Sequence, residues 1–322
     1  MKKTLASLIG LTLLGVSHST LAAWPEKPVK FILAQAPGSG PDNVARLLAD
    51  QLTRITGQAF IVDNKPGGQG LIGAQAAARS AADGYNYFLG TVAVLVTNPL
   101  LIKNMPYDPA KDFEPIAYVS SSPFAMFVQQ DSPFKSVQEV VAHAKQSGGS
   151  FSIGHEGPRT FGGMIARLLN KRADAGANLV AFSSGPVGGL TNLVGGHVNS
   201  FITGIATGSE LTKQGRLKVL AVTSPQPLAD WPNVPTLSSS YPGFDLEGWQ
   251  AMVAPAGTPP AAKQRLNELI RQVLAEPEVQ SKLRAMGQQL APDMSTEQLG
   301  AFLLQEQLKW AEIAKEVGVT PE

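Results

Sequence analysis

The chain of 322 residues contains no cysteine. Disulfides, thiolate catalysis, Cys-ligated zinc and iron–sulfur clusters are thereby excluded. Charge is sparse and balanced, with 26 basic against 25 acidic side chains and a net charge of +1. No bulk field results that would recruit nucleic acid or an anionic membrane. Histidine is scarce too. Of the 4 present, His18 falls in the leader described below. His143, His155 and His197 sit in separate segments, with no HExxH or other close ligand pair. No metal site is expected. There is no G-x-S-x-G elbow and no Walker A sequence, so no catalytic residue is expected either. A scattered triad is invisible to sequence, which leaves a secreted hydrolase as a lesser alternative. The stretch Gly68-Gln69-Gly70-Leu71-Ile72-Gly73 has dinucleotide-type spacing. It lacks the tight strand-to-helix turn, because Asp63–Gly67 intervenes after the strand, and Val92 and Val94 stand where an acid should hold a ribose. No cofactor is expected.

What is present begins with an export pattern. Met1-Lys2-Lys3 is a basic head, Leu5 to Val16 is apolar but too short to span a membrane, and Thr20-Leu21-Ala22-Ala23 supplies small residues. Residues 1–23 are expected to be a signal peptide cleaved near Ala22 or Ala23. Losing Lys2 and Lys3 leaves 24 basic against 25 acidic residues, a mature charge of −1. A location outside the cytoplasm, in a bacterial periplasm, is expected.

The remainder alternates short β-rich apolar runs with helical periodicity. Strands are expected at Val29–Ala34, Ala59–Val62, Tyr87–Leu89, Phe151–Ile153, Asn178–Phe182, Asn199–Ile202 and Lys218–Val222. Helices are expected from about Pro41 to Ile55, and at Leu71–Ala81, Val137–Gln146, Gly163–Arg172, Leu190–Val194, Pro260–Ala275 and Pro277–Met286. A final helix runs to about Val317, announced by the capping-box pair Ser295 and Gln298. The alternation implies an α/β fold of βαβ units with largely parallel sheets. The length suggests about two domains of roughly 150 residues.

Three glycine- and hydroxyl-rich turns precede helices: Pro37-Gly38-Ser39-Gly40, Gly154-His155-Glu156-Gly157-Pro158-Arg159-Thr160 and Ser183-Ser184-Gly185-Pro186-Val187-Gly188-Gly189. In parallel α/β sheets such turns lie beyond the carboxyl ends of the strands, where ligands bind. Free N–H groups at helix starts favour an anion there. Each turn alone reads more readily as a plain βα connection; three together point to a carboxylate or phosphate site.

Further landmarks are Asp42 with Val44-Ala45-Arg46-Leu47-Leu48, then Val62-Asp63-Asn64-Lys65-Pro66-Gly67, Asp83-Gly84-Tyr85, Leu89-Gly90-Thr91 and Pro106-Tyr107-Asp108-Pro109. Leu190-Thr191-Asn192-Leu193-Val194-Gly195-Gly196, Leu220-Ala221-Val222-Thr223-Ser224 and Ala254-Pro255-Ala256-Gly257-Thr258-Pro259 follow. In this order and spacing, from Trp24 to the last helix, the chain resembles the Bug (Bordetella uptake gene) family. That family includes the receptors of tripartite tricarboxylate transporters. The resemblance implies a two-lobe, periplasmic-binding-protein-like fold with a cleft between the lobes. Lobe 1 would comprise 24–123 plus 248–322, and lobe 2 would comprise 124–247. It further implies a monomer, a small organic carboxylate as ligand, hinge closure, and delivery to a membrane permease. A periplasmic sensor feeding a signalling system is the alternative.

The ligand-binding candidates are Gln35, Gly38, Ser39 and Gly40 at the first turn, Thr91 and Val92 after the third strand, and His155, Glu156, Thr160 and Phe161 at the second turn. Ser183, Ser184 and Gly185 at the third turn and Thr203 complete the set. Several depart from the family pattern. Gln35 replaces an aromatic, Pro41 a threonine, Phe161 a histidine, Ser183-Ser184 a tyrosine–lysine pair, and Thr203 an aspartate that would face a ligand ammonium. Polar or small residues after Thr91 give way to Val92-Ala93-Val94. The loss of charge implies a carboxylate with an apolar body, such as an aromatic mono- or dicarboxylate, on which Phe161 could pack. Asp42 is read as ordering its own turn, and Trp249 as core near the lobe crossing.

Overall fold

The structure is a computed structural model that describes residues 24–290 and 292–321. The expected signal peptide, 1–23, lies outside the described residues. Strand β1 (Val29–Leu33) leads through the first glycine turn into α1 (Gly40–Thr56). Pro41 suits the first turn of α1, and the helix stops at Gly57, whose φ of 71° favours glycine. Val44, Leu48 and Leu52 recur on one face and are fully buried. Then come β2 (Phe60–Asn64), α2 (Leu71–Ala78) and β3 (Asn86–Thr91), with β2 and β3 both pairing parallel to β1. A π-helical stretch, Ala93–Thr97, continues β3 into α3 (Asn98–Leu101), and α4 (Pro109–Asp112) precedes β4 (Phe113–Gln129).

The second group is α5 (Val137–Gln146), β5 (Ser152–His155), α6 (Phe161–Arg172), β6 (Asn178–Ala181), α7 (Gly185–Val194), β7 (Ser200–Gly204), α8 (Ile205–Lys213) and β8 (Leu217–Val222). Strand β5 pairs parallel with β6 and β7. The chain returns through β9 (Glu247–Pro255) and ends with α9 (Pro260–Ala275), α10 (Pro277–Ala285), β10 (Gln289–Leu290) and α11 (Thr296–Glu316). The capping box at Ser295 and Gln298 is formed.

The sheet order is β2-β1-β3-β9-β4-β7-β5-β6. The expectation of largely parallel sheets is corrected here: β4 and β9 make the sheet mixed. The first half of β4 pairs antiparallel with β9, and its second half pairs antiparallel with β7 and β8. One 17-residue strand therefore belongs to both lobes. Register shifts between Tyr118 and Ser120 and between Met126 and Phe127 flank its middle. Such irregularities twist a strand locally, which suits a crossing point.

The strand directions place the glycine turns. Strand β9 is antiparallel to both β3 and β4, so β1, β3 and the first half of β4 run the same way. Their carboxyl ends approach the crossing. Strand β7 runs against β4, with Thr203 opposite Ala125 and Gly204 opposite Phe124, so β5, β6 and β7 approach the crossing from the other side. Thr91 pairs with Gln250, which pairs with Ser120. Ser120 and Ala125 are five residues apart on β4, or about 16 Å along an extended strand. Two sets of strand ends thus point toward each other along β4.

At the crossing, Glu247 pairs with Pro123. Burial pushes its carboxyl up to about 7, while Ser121 and Lys309 pull it down and Glu306 and Asp245 push it up. A folded-state value above the unfolded one means stability is fully present below the unfolded value and is lost as pH rises through neutrality. Glu247→Gln should therefore raise stability by about 1–3 kcal/mol above neutral pH and leave it nearly unchanged at mildly acidic pH. Urea melts at both pH values check this.

Candidate ligand-binding cleft

The first turn is built around Asp42, which is 1% exposed. Its Oδ2 accepts the Gly38 N–H at 2.7 Å and Arg46 Nε at 2.9 Å, and its Oδ1 accepts Asn64 Nδ2 at 2.9 Å. Burial alone would raise this carboxyl; Arg46, Gly38 and Asn64 outweigh it and hold it below the ordinary carboxylate range. Gly38 takes a φ of 81°, which reverses the chain ahead of Ser39. Ser39 makes no side-chain cap, and its buried hydroxyl has no partner. In α1 the Asn43 N–H is the first to reach a helical carbonyl, that of Ser39. The amides of Gly40 and Asp42 lie ahead of it, and Pro41 has none.

Beside this turn runs a neutral polar row. Gln35 Nε2 donates to Thr91 Oγ1 at 3.4 Å. Gln250 Nε2 donates to Ser120 Oγ at 3.4 Å and to Gln288 Oε1 at 3.1 Å. The amide oxygens of Gln35 and Gln250 are buried without a partner.

The second turn is held by Thr160. Its hydroxyl accepts the Gly163 N–H at 3.1 Å and donates to the Gly157 carbonyl at 2.8 Å. The amides of Phe161 and Gly162 are left at the start of α6. Gly163 is required there, since a β-carbon would meet the Gly157 oxygen at 1.9 Å. At the third turn Ser183 and Ser184 are exposed, Ser184 makes no side-chain cap, and Gly185 has a φ of 77°.

Some candidate side chains are used otherwise. Val92 is 5% exposed within the core beside Ile32 and Phe88, so only its backbone can reach a ligand. His155 is 2% exposed, and its Nδ1 accepts the Gly157 N–H at 3.1 Å. Burial lowers its pKa, so the imidazole props its own turn as a neutral acceptor. Phe161, expected to lie against a ligand body, is half-buried between Phe124 and Trp310, at centroid distances of 4.9 Å and 4.7 Å. Thr203 is 1% exposed, and its hydroxyl donates to Glu156 Oε1 at 2.5 Å. The carboxyl that Thr203 lacks is thus supplied from the neighbouring strand, a contact spanning 47 residues that no local motif announces.

Helix α11 touches both groups of elements. Its first half lies on β4 and β9, with Phe302 against Tyr118 and Trp249. Trp249 is 3% exposed and donates to Glu306 Oε2 at 2.9 Å. The second half reaches α6: Trp310 meets Phe161, and Glu316 accepts Arg172 Nε at 3.0 Å and Nη2 at 2.9 Å. The helix straps both lobes. A groove of about 530 Å3 between α8 and the end of α10 contains Trp231 and Arg284 but none of the glycine-turn residues.

The profile of the tripartite tricarboxylate transporter family receptor matches residues 44–319. The chain belongs to that receptor family. A UPF0065 protein of Bordetella bronchiseptica is 32% identical over 100% of this chain and 95% of its own length. Among solved structures, an R. palustris protein with adipate is 28% identical at a TM-score of 0.81, covering 93% of this chain and 100% of that one. The periplasmic binding protein BugD is 29% identical at a TM-score of 0.76, with the same coverage. The two-lobe, periplasmic-binding-protein-like fold is thereby shown. Family and fold are those of substrate-binding receptors. Among the described residues no helix is long and apolar enough to cross a membrane.

Proposed function

We propose that this chain is a periplasmic receptor that captures a small organic carboxylate between its lobes and delivers it to a membrane permease of the tripartite tricarboxylate type. The observation that carries this reading is the facing of two sets of strand ends, each with unpaired helix-start amides. Gly40 and Asp42 contribute from one side, and Phe161 and Gly162 from the other. The lobes would divide near residues 123 and 247, where β4 and β9 cross. Ser39, Thr91 and the exposed Ser183 and Ser184 would contact the ligand through their hydroxyls and Gly40 through its N–H, while Gly38, Thr160 and Gly185, whose amides are taken by Asp42, Gly157 and Phe182, would shape the turns.

Contacts from both lobes made only in the closed state would bias hinge closure, because a ligand shifts an equilibrium by its differential affinity. An acid with a charge at each end fits strand ends that point toward each other, with an apolar body, aliphatic or aromatic, between. The adipate bound by the R. palustris relative is of this class. The test is mass spectrometry of ligand copurified with the native protein, followed by a thermal-shift screen of aliphatic and aromatic carboxylic acids. At a concentration of 100 Kd a true ligand adds about 2.7 kcal/mol. Stabilisation by mono- or dicarboxylates supports the reading; stabilisation only by sugars or amines contradicts it.

A further inference from the structure

The groove between α8 and the end of α10 encloses about 530 Å3, a volume in the range that holds small molecules. One wall is α8, which continues β7, and β7 pairs with the second half of β4. The other is the end of α10 with β10, which pairs with Ser120 and Ser121 in the first half of β4. The walls meet at Gly287. Its φ is 72°, and a β-carbon there would lie 2.4 Å from Ala206 Cβ. The groove thus joins elements from both sides of the crossing.

Its lining is amphipathic. Ile205 and Leu228, 2% and 4% exposed, supply apolar surface. Trp231 is half-buried and packs on the same core cluster. Trp24, Trp249 and Trp310 each have an aromatic neighbour. Among the described residues Trp231 has none, and its indole borders the groove. Two cations border it from opposite walls. Lys213 lies in the last turn of α8 and Arg284 in the last turn of α10. Helix dipoles favour a cation at each of these ends, but they do not account for the two meeting across one groove. Among the described residues neither the Lys213 ammonium nor the Arg284 guanidinium has an ion-pair or hydrogen-bond partner. Asp230 is the one acid in the lining, so two cations against one acid leave it singly positive.

We propose that this groove is a second ligand site, which takes an aromatic monocarboxylate with its ring on Trp231 and its carboxylate between Lys213 and Arg284. Indole offers a flat face for offset aromatic packing. Guanidinium presents a planar fork that matches a carboxylate. A single negative charge neutralises the lining, whereas Asp230 repels the second charge of a dicarboxylate. That repulsion keeps the groove and the cleft distinct in what they accept.

The groove shares no residue with the glycine turns, and the test keeps the two sites apart. Fluorine NMR follows para-fluorobenzoate binding to the mature protein, with and without excess adipate. Wild-type protein should bind the probe with a Kd of about 1 mM or tighter, equally well in both samples. The double variant Lys213→Gln with Arg284→Gln should weaken it about tenfold. Trp231→Ala should do the same, while Trp231→Phe, which keeps a flat ring and most of the packing, should stay within about threefold of wild type. The uncharged analogue para-fluorotoluene should bind wild type about tenfold more weakly than the acid. Adipate affinity, read by calorimetry, should be unchanged in the double variant. No probe binding to wild-type protein, displacement of the probe by adipate, or undiminished binding to the double variant overturns the proposal. If adipate binds nowhere, the cleft reading is what fails, and the probe's response to the groove variants still decides the second site.

Discussion

Replacing Trp310 with alanine should destabilise the protein by about 3–5 kcal/mol, the range for deleting a buried indole. Trp310 is 1% exposed and packs at a tilt against Phe161 of α6. Its loss opens a cavity in the seam between α11 and α6. Among the described residues its Nε1 has no hydrogen-bond partner, so the contribution is assigned to packing. Trp310→Phe removes only part of the ring system and should therefore cost less, about 1–3 kcal/mol. Urea unfolding of both variants checks the pair. A phenylalanine variant as unstable as the alanine one would show that the indole N–H matters. Because the ring joins α11 to α6, Trp310→Ala should also alter the balance of open and closed states, read by small-angle scattering with and without ligand.

The second large effect belongs to Asp42. Asp42→Ala removes the acceptor for the Gly38 amide, Arg46 and Asn64. Loss of charge-assisted hydrogen bonds at a site 1% exposed should cost about 2–3 kcal/mol. The turn carrying Ser39 and Gly40 loses its anchor, so carboxylate affinity should fall by about tenfold or more. The pH signature is specific. The folded-state pKa of Asp42 lies below its unfolded value, so its contribution is present above the unfolded value and is lost as pH falls through the folded one. Asp42→Asn should flatten that acid limb. Urea melts below the unfolded carboxyl value of 3.8 and at neutral pH read the stability term, and calorimetry at neutral pH reads the affinity. An unchanged affinity in Asp42→Ala would mean the first turn does not hold the ligand.

Much of this architecture was legible because its signals are local. Apolar spacing and caps marked α1, α5, α6, α9 and α11 to within a residue or two, and glycine runs marked the turns. What escaped was set by distant partners. Strand β4 carries Pro115, Pro123 and three consecutive serines from Ser120 to Ser122, with no alternation to reveal it. It is a strand because β9, β7 and β8 flank it. Its antiparallel course made the sheet mixed, which βαβ counting misses. Helix α7 starts at Gly185, earlier than its apolar residues suggest, since the glycines ahead of Leu190 carry no periodic signal. The stripe on α11 was visible, but its far end lies on the other lobe.

The site was legible as backbone and less so as side chains. The glycine turns do stand at the strand ends that face the crossing. Val92 and His155 are polypeptide support rather than exposed contacts, and Phe161 is taken up by Phe124 and Trp310. Departures from a family pattern told which charge was missing at Thr203. They could not tell that Glu156 returns a carboxyl to the same spot, because that needs the β5–β7 pairing.

The most direct measurement is a crystal structure of the mature protein with a bound dicarboxylate such as adipate. The ligand is expected in the gap between the crossing strands, one carboxylate on the Gly40 and Asp42 amides and the other on the Phe161 and Gly162 amides, with the lobes closed over it. A dicarboxylate seated in the α8–α10 groove, or held by side-chain cations without those amides, would contradict the proposed mode of capture.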